Sequence, residues 1–214
     1  MNIALVDDHL LFRKGMRLLL QCQKDMVILF EASNGLELLE QLIYNQPDVI
    51  LLDLQMPLMG GSEALELVKE KYPKIKIIIL TMFEDEKMII ELIEKGANGF
   101  LTKESNFDEV IESINGVIKN GHFLVQRYTK ILLQNIGTKS MGDKNNLQSL
   151  LSSRELEIIK LICLELTNKE IADKLCLSYR TIDFHRSNIL QKINAKNTVG
   201  IVVFAIKNQI FSWD

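Results

Sequence analysis

"LLDLQMPLMGG", Leu51 to Gly61, sets an aspartate directly after an apolar run and follows it with a Met-Pro turn and two glycines. A carboxylate at the end of a buried strand is either a solvation penalty or a chemical site. What decides between them is whether matching groups arrive at the same place from elsewhere in the chain.

Around this stretch, the first 120 or so residues alternate short apolar runs with segments of helical period. "NIALV", "VILFEA", "DVILL", "KIIIL" and "NGFLT" are rich in Ile, Val and Leu and lack polar alternation. Strands covered on both faces by helices read this way. Between them lie amphipathic stretches at Leu10–Gln23, Gly35–Asn45, Ser62–Tyr72, Asp85–Lys95 and Asn106–Lys119. Five βα units predict an α/β fold with a doubly wound, five-stranded parallel sheet over residues 1–122. In such sheets, ligand chemistry gathers at the carboxyl ends of the strands. Asp7 and Asp8 follow the first strand, Asp53 ends the third, Thr81 ends the fourth and Lys103 follows the fifth. Clustered carboxylates repel one another unless a cation joins them, and an all-oxygen site with room for water suits Mg²⁺. A lysine and a hydroxyl beside them suit a transferred phosphoryl group.

The remainder of the chain has another character. A short helix is expected over Gln126–Ile136, and "GTKSMGDKNN" reads as flexible linker, so residues 123–146 join two domains. Residues 147–214 predict a small all-α domain. Capping boxes at Ser152–Glu155 and Thr167–Glu170, and an N-cap at Ser178, open helices expected over 153–164, 168–175 and 179–194; a fourth spans 197–208. Residues 168–194 form a helix, short turn, helix pair. On its second helix Ile182, Ile189 and Ile193 line one face, while Arg180, Asp183, Phe184, Ser187 and Gln191 line the other. A helix presented in this way has the geometry that enters a DNA major groove. The last helix, "TVGIVVFAIKNQI", is apolar around much of its circumference, which predicts a self-complementary dimer contact.

Charge divides along the same line. Residues 1–125 carry 12 Lys+Arg against 20 Asp+Glu, a net −8, whereas residues 126–146 and 147–214 carry +3 and +2. An acidic front and a mildly basic back fit two domains with different partners. No apolar run approaches the roughly 20 residues that cross a bilayer, so a cytoplasmic protein without membrane contact is expected. The three cysteines, Cys22, Cys163 and Cys176, have neither the number nor the spacing of a disulfide framework or zinc site. They are expected to be buried small hydrophobes.

"VDDH", "LLDLQMPLMGG", "ILTMF" and "GANGFLTKE" together resemble the receiver domain of two-component response regulators. "LSSRELEIIKLICLELTNKEIADKLCLSYRTIDFHRSNILQKINAKN" resembles the LuxR-type helix-turn-helix of the NarL/FixJ family. The first resemblance implies that Asp53 is a phosphoacceptor attacking a phosphohistidine on a sensor histidine kinase. It implies Mg²⁺ held by Asp8, Asp53 and the backbone carbonyl of Gln55, with Asp7 acting through water. Thr81 and Lys103 would bind phosphoryl oxygens, and Thr81 and Phe100 would form the switch. The second resemblance implies double-stranded promoter DNA as partner. Asp183, Phe184 and Ser187 would face base edges, with Lys169, Arg180, Thr181, Arg186 and Lys192 on phosphates and a homodimer forming on phosphorylation.

Three positions depart from the common patterns: Met82 where many receivers have a small residue, Glu104 where many have proline, and Asp183 where lysine is common. The expectation is a DNA-binding transcriptional response regulator and not an enzyme. Two alternatives stay open. One is a regulator that binds DNA without phosphorylation. The other is an aspartate-nucleophile phosphatase of the haloacid dehalogenase type, which usually carries a second acid where this chain has Gln55.

Overall fold

The computed structural model describes residues 1–82, 86–123 and 150–211. The expected helix at Gln126–Ile136, the 137–146 linker and the expected helix start at Asp85 lie outside the described residues. Chain contacts divide the molecule into two units, Met1–Phe123 and Leu124–Asp214.

The first unit runs β1 (Asn2–Val6), α1 (Leu10–Gln21), β2 (Val27–Ala32), α2 (Gly35–Tyr44) and β3 (Val49–Asp53). It continues with α3 (Gly61–Lys71), β4 (Lys76–Thr81), α4 (Glu86–Lys95), β5 (Gly99–Thr102) and α5 (Phe107–Asn120). All strands are parallel, in the order β2-β1-β3-β4-β5. The winding therefore reverses between β1 and β3, where a crevice opens at the carboxyl edge. Register aligns Val6, Leu52, Ile79 and Phe100 across four strands. On the opposite parity Ile3, Leu5, Leu51, Leu80 and Leu101 pack with Met16 and Leu20 of α1 and Val110, Ile114 and Val117 of α5. Each such side chain contributes about 1.5–3 kcal/mol by leaving water. β2 corrects one expectation, because it is an edge strand with Val27 exposed and only Phe30 and Ala32 buried. β5, the other edge strand, is buried over Gly99 to Leu101, so the lesser burial of β2 reflects how little covers its start.

In the second unit the helices are α6 (Ser153–Cys163), α7 (Asn168–Leu175), α8 (Tyr179–Lys192) and α9 (Thr198–Lys207). Ser152 with Glu155 and Thr167 with Glu170 each form the full reciprocal capping box, and the Ser178 side chain accepts from the Thr181 N–H. Cys176 turns the chain between α7 and α8 in the left-handed region, at φ 53°. Cys163 is buried as expected, but Cys22 and Cys176 are exposed. Both cap the ends of helices, where the chain turns outward to solvent. In α9, Val199, Ile201, Val202, Val203, Ala205 and Ile206 are all buried within the single chain. Its apolar girth is thus largely used inside the protein and does not by itself signal a dimer face. Among the described residues, no helix is long and apolar enough to cross a membrane.

Candidate functional site

Sheet parity builds the site. Side chains alternate along a strand, so Asp7 continues the row of Ile3 and Leu5, Asp53 that of Val49 and Leu51, and Lys103 that of Gly99 and Leu101. The ladder holds past the strand ends, since the Asp7 N–H donates to Ala32 O at 3.1 Å and the Lys103 N–H to Thr81 O at 2.9 Å. The three groups therefore emerge on the same face at the carboxyl edge. Lys103 Nζ lies 2.8 Å from Asp53 Oδ2 and 2.7 Å from Asp7 Oδ2. Asp7 and Asp53 are only 2% and 3% exposed. Asp8 is partly exposed beside them, and Thr81 is buried on the opposite parity. Phe100, in register with Ile79, sits one step below Thr81 on that second face and is fully buried. The switch pair is thus found with the aromatic ring already inside.

Three carboxylates against one ammonium leave two negative charges in a space mostly closed to water. Burial pushes the Asp53 carboxyl above its ordinary range. The Lys103 hydrogen bond opposes this, but repulsion from Asp7 keeps the net shift upward. Burial alone would lower the Lys103 ammonium, yet its bonds and attraction to Asp53 and Asp7 outweigh that and raise it. The lysine therefore stays charged and holds two of the three acids. Asp7 Oδ2 and Asp8 Oδ1 are nonetheless buried oxygens without an aligned hydrogen-bond donor; Lys103 meets Asp7 as an ion pair. Asp7, Asp8, His9 and Asp53 bring ligand atoms within 4.8 Å of one another. Charge and hard oxygen donors both fit a divalent cation. Gln55 is exposed, and its N–H donates a long 3.4 Å bond to Asp53 Oδ1, so its backbone lies beside the carboxylate. His9, adjacent in "VDDH", was not singled out in the sequence.

The Met-Pro turn explains how Asp53 can end a strand and still be enclosed. Leu58 adopts a left-handed φ of 66°, Met59 N–H donates to Pro57 O, and Gly61 N–H returns to Leu54 O at 3.0 Å. The loop folds back so tightly that a Cβ on Gly61 would stand 2.0 Å from the Asp53 carbonyl oxygen. Only glycine permits α3 to begin against the end of β3.

On α8, Arg180, Asp183, Phe184 and Ser187 are exposed together, and Lys169 is exposed on α7. Thr181 is half-buried, with Oγ1 2.8 Å from Ser178 Oγ. Two residues read as phosphate contacts are engaged internally. Arg186 donates to Asn168 Oδ1 and Thr198 Oγ1, bracing α8 to the starts of α7 and α9. Lys192 Nζ donates to Glu155 Oε2 at 2.8 Å. Glu155 is 3% exposed and also accepts from the Ser152 N–H. Burial acts to raise its carboxyl, but Lys192 and Ser152 outweigh that and hold it below the ordinary range. These braces were invisible in sequence because their partners come from other helices.

Residues 3–115 match the response regulator receiver domain, and residues 149–205 match bacterial regulatory proteins of the luxR family. The chain is 33% identical over 218 residues to the oxygen regulatory protein NreC of Staphylococcus epidermidis, spanning all of both chains. NreC of Staphylococcus carnosus is 33% identical over 217 residues, again across both full lengths. A LuxR-family two-component response regulator from Aurantimonas sp. SI85-9A1 is similar in structure. It has 27% identity and a TM-score of 0.58, over 63% of this chain and 96% of its own. The fold is shared with the Salmonella typhimurium RcsB response regulator at 22% identity and a TM-score of 0.60, over 95% and 98% of the two chains. Another RcsB structure, of two dimers bound to two parallel DNAs, has 22% identity and a TM-score of 0.59, over 97% and 98%.

Proposed function

Because this chain belongs to the two-component response regulators that join a receiver domain to a LuxR-family output domain, and is a DNA-binding transcriptional regulator, we propose that Asp53 is its phosphoacceptor and that phosphorylation there raises its affinity for promoter DNA. The observation that carries this reading is Lys103 Nζ within 2.8 Å of both buried acids, Asp53 and Asp7.

A carboxylate oxygen of Asp53 attacks the phosphorus of a phosphohistidine on the partner kinase. The P–N bond breaks, and the departing imidazole keeps the electron pair. Lys103 supports the phosphoryl oxygens as negative charge collects on them, and Thr81 donates its hydroxyl to the same group. Asp8, Asp53 and the Gln55 carbonyl, with Asp7 beside them, are the groups that would hold Mg²⁺, and the ion would supply charge neutralisation there. Drawing Thr81 toward the phosphoryl group shifts the row of the sheet that Phe100 completes. Because Phe100 is already buried, the signal is a repacking of that row and not an entry of the ring from solvent.

In the output domain α8 enters the major groove. Asp183, Phe184 and Ser187 read base edges, and Lys169, Arg180 and Thr181 meet phosphates. Arg186 and Lys192 serve this interface by fixing α8 in place. A second copy completes the site, with half-sites about 34 Å apart; the DNA-bound dimers of RcsB support this.

The test is acid-labile labelling of the full chain by a small acyl phosphate with Mg²⁺. Wild type takes up label, and Asp53→Asn does not while keeping its thermal transition. Undiminished label in Asp53→Asn overturns the assignment.

A further inference from the structure

We propose that Asp183 determines which DNA sequence this protein binds, its carboxylate accepting from the N4 amino group of a cytosine in the major groove of each half-site. The proposal rests on the reading of α8 as the helix that enters the groove. Asp183 is exposed on that helix, and an ionised carboxylate only accepts hydrogen bonds.

The neighbouring side chains extend that polarity. Ser187 lies one turn on from Asp183, and its Oγ donates to the Asp183 carbonyl at 3.0 Å. A carbonyl oxygen only accepts, so the serine hydrogen is consumed and the exposed hydroxyl offers lone pairs outward. Phe184, 63% exposed, adds an apolar ring beside the carboxylate. At Asp183, Phe184 and Ser187 the helix therefore presents acceptors and a ring. Guanine shows the acceptors O6 and N7 in the major groove, which repel a carboxylate. Adenine sets its N7 acceptor beside its amino group, whereas cytosine shows the N4 amino group alone.

The carboxylate is also held from behind. Asn168, at the start of α7, donates Nδ2 to Asp183 Oδ1 over a long 3.4 Å, and its own Oδ1 accepts from Arg186. Asp183 Oδ2 accepts no hydrogen bond among the described residues. Burial lowers the Arg186 guanidinium, and attraction to Asp183 and then to Tyr179 opposes that. A positive charge thus stands inside the domain near the acid, which lets a carboxylate sit on a face that approaches phosphates.

The competing role for Asp183 is plain repulsion of phosphates, which weakens binding to every sequence alike. Asp183→Asn relieves repulsion under either role. Only a base reader also changes the sequence preferred, because asparagine pairs with adenine N6 and N7.

The experiment selects bound duplexes from a random double-stranded library. The full chain, treated with a small acyl phosphate and Mg²⁺, is used as wild type, Asp183→Asn, Asp183→Ala, Phe184→Ala and Ser187→Ala. All three positions are exposed, so each variant should keep the wild-type thermal transition. Wild type should select cytosine at one position of each half-site by about fivefold or more over the other bases. Asp183→Asn should turn that position to adenine, and Asp183→Ala should leave less than about twofold preference there. Both should keep the bases selected elsewhere. Identical selected sequences for wild type and Asp183→Asn would overturn the proposal, as would a position that responds to Asp183 but is not cytosine in wild type. If the selected sequence answers to Phe184 or Ser187 and not to Asp183, the role of Asp183 alone falls. If wild type selects no sequence, or none of the substitutions alters it, the reading of α8 as the groove-entering helix falls as well.

Discussion

The carboxyl edge of the sheet and the outward face of α8 use charge in opposite ways. At the sheet edge Asp7, Asp53 and Lys103 are almost wholly enclosed and hold one another at 2.7 and 2.8 Å. On α8 the groups free to meet another molecule, Arg180, Asp183 and Ser187, stand in solvent, while Arg186 turns inward to Asn168 and Thr198, and Lys192, itself exposed, pairs with the buried Glu155. Buried charge is costly enough that its arrangement declares its chemistry. Exposed charge costs little, so the partner determines its meaning.

The sharpest way to break this contrast is to remove the buried cation. Lys103→Met leaves Asp7 and Asp53 facing each other unpaired, and the receiver domain should lose about 3–5 kcal/mol in urea unfolding without divalent ions. Millimolar Mg²⁺ should restore much of that loss, because the ion replaces the ammonium's charge. Equal losses with and without Mg²⁺ would mean the acids do not share a cation site.

A second buried lysine extends the comparison, this time with no acid paired to it among the described residues. Lys69 is 8% exposed, and its Nζ donates to Ile75 O and Asn98 Oδ1 at 2.6 Å each. Burial, with some repulsion from Lys76, lowers its pKa to about 7. The unfolded chain keeps that proton up to the ordinary lysine range, near 10.5, so the folded state gains relative stability as pH rises from about 7 toward 10.5. The gain should be at most about 5 kcal/mol, and Lys69→Met should lose this slope. Parallel pH profiles for the two proteins would show that Lys69 keeps its proton in the fold.

On α8 the contrast separates two arginines of equal charge. Arg186→Ala should reduce the output domain's stability by about 1–3 kcal/mol through the loss of its two braces. Arg180→Ala should leave stability within about 0.5 kcal/mol but weaken DNA binding and lower the salt slope by about 1. If both variants behave alike in the melt, the inward reading of Arg186 is wrong. The smallest effects belong to the caps: Ser152→Ala and Thr167→Ala should each lower stability by about 1 kcal/mol.

The legible parts of the sequence were those governed by period and register. The apolar runs gave the strands, and the strand ends placed Asp7, Asp53, Thr81 and Lys103 at one edge, because parity is counted along the backbone. Capping boxes were legible for the same reason, each being closed within four residues. What the sequence could not carry is long-range: the exposure of β2 depends on what covers it, the pairings of Arg186 and Lys192 on helices elsewhere in the sequence, and the burial of α9 on what packs around it.

The central claim is that chemistry at Asp53 sets the strength of DNA binding. It is tested most directly by measuring the affinity of the full chain for a target promoter fragment at one fixed salt concentration. The proteins compared are the unphosphorylated chain, the chain treated with a small acyl phosphate and Mg²⁺, and Asp53→Asn treated identically. The treated wild type should bind about tenfold more tightly or better, with Asp53→Asn unchanged from the untreated protein. Equal affinities for all three would contradict the account.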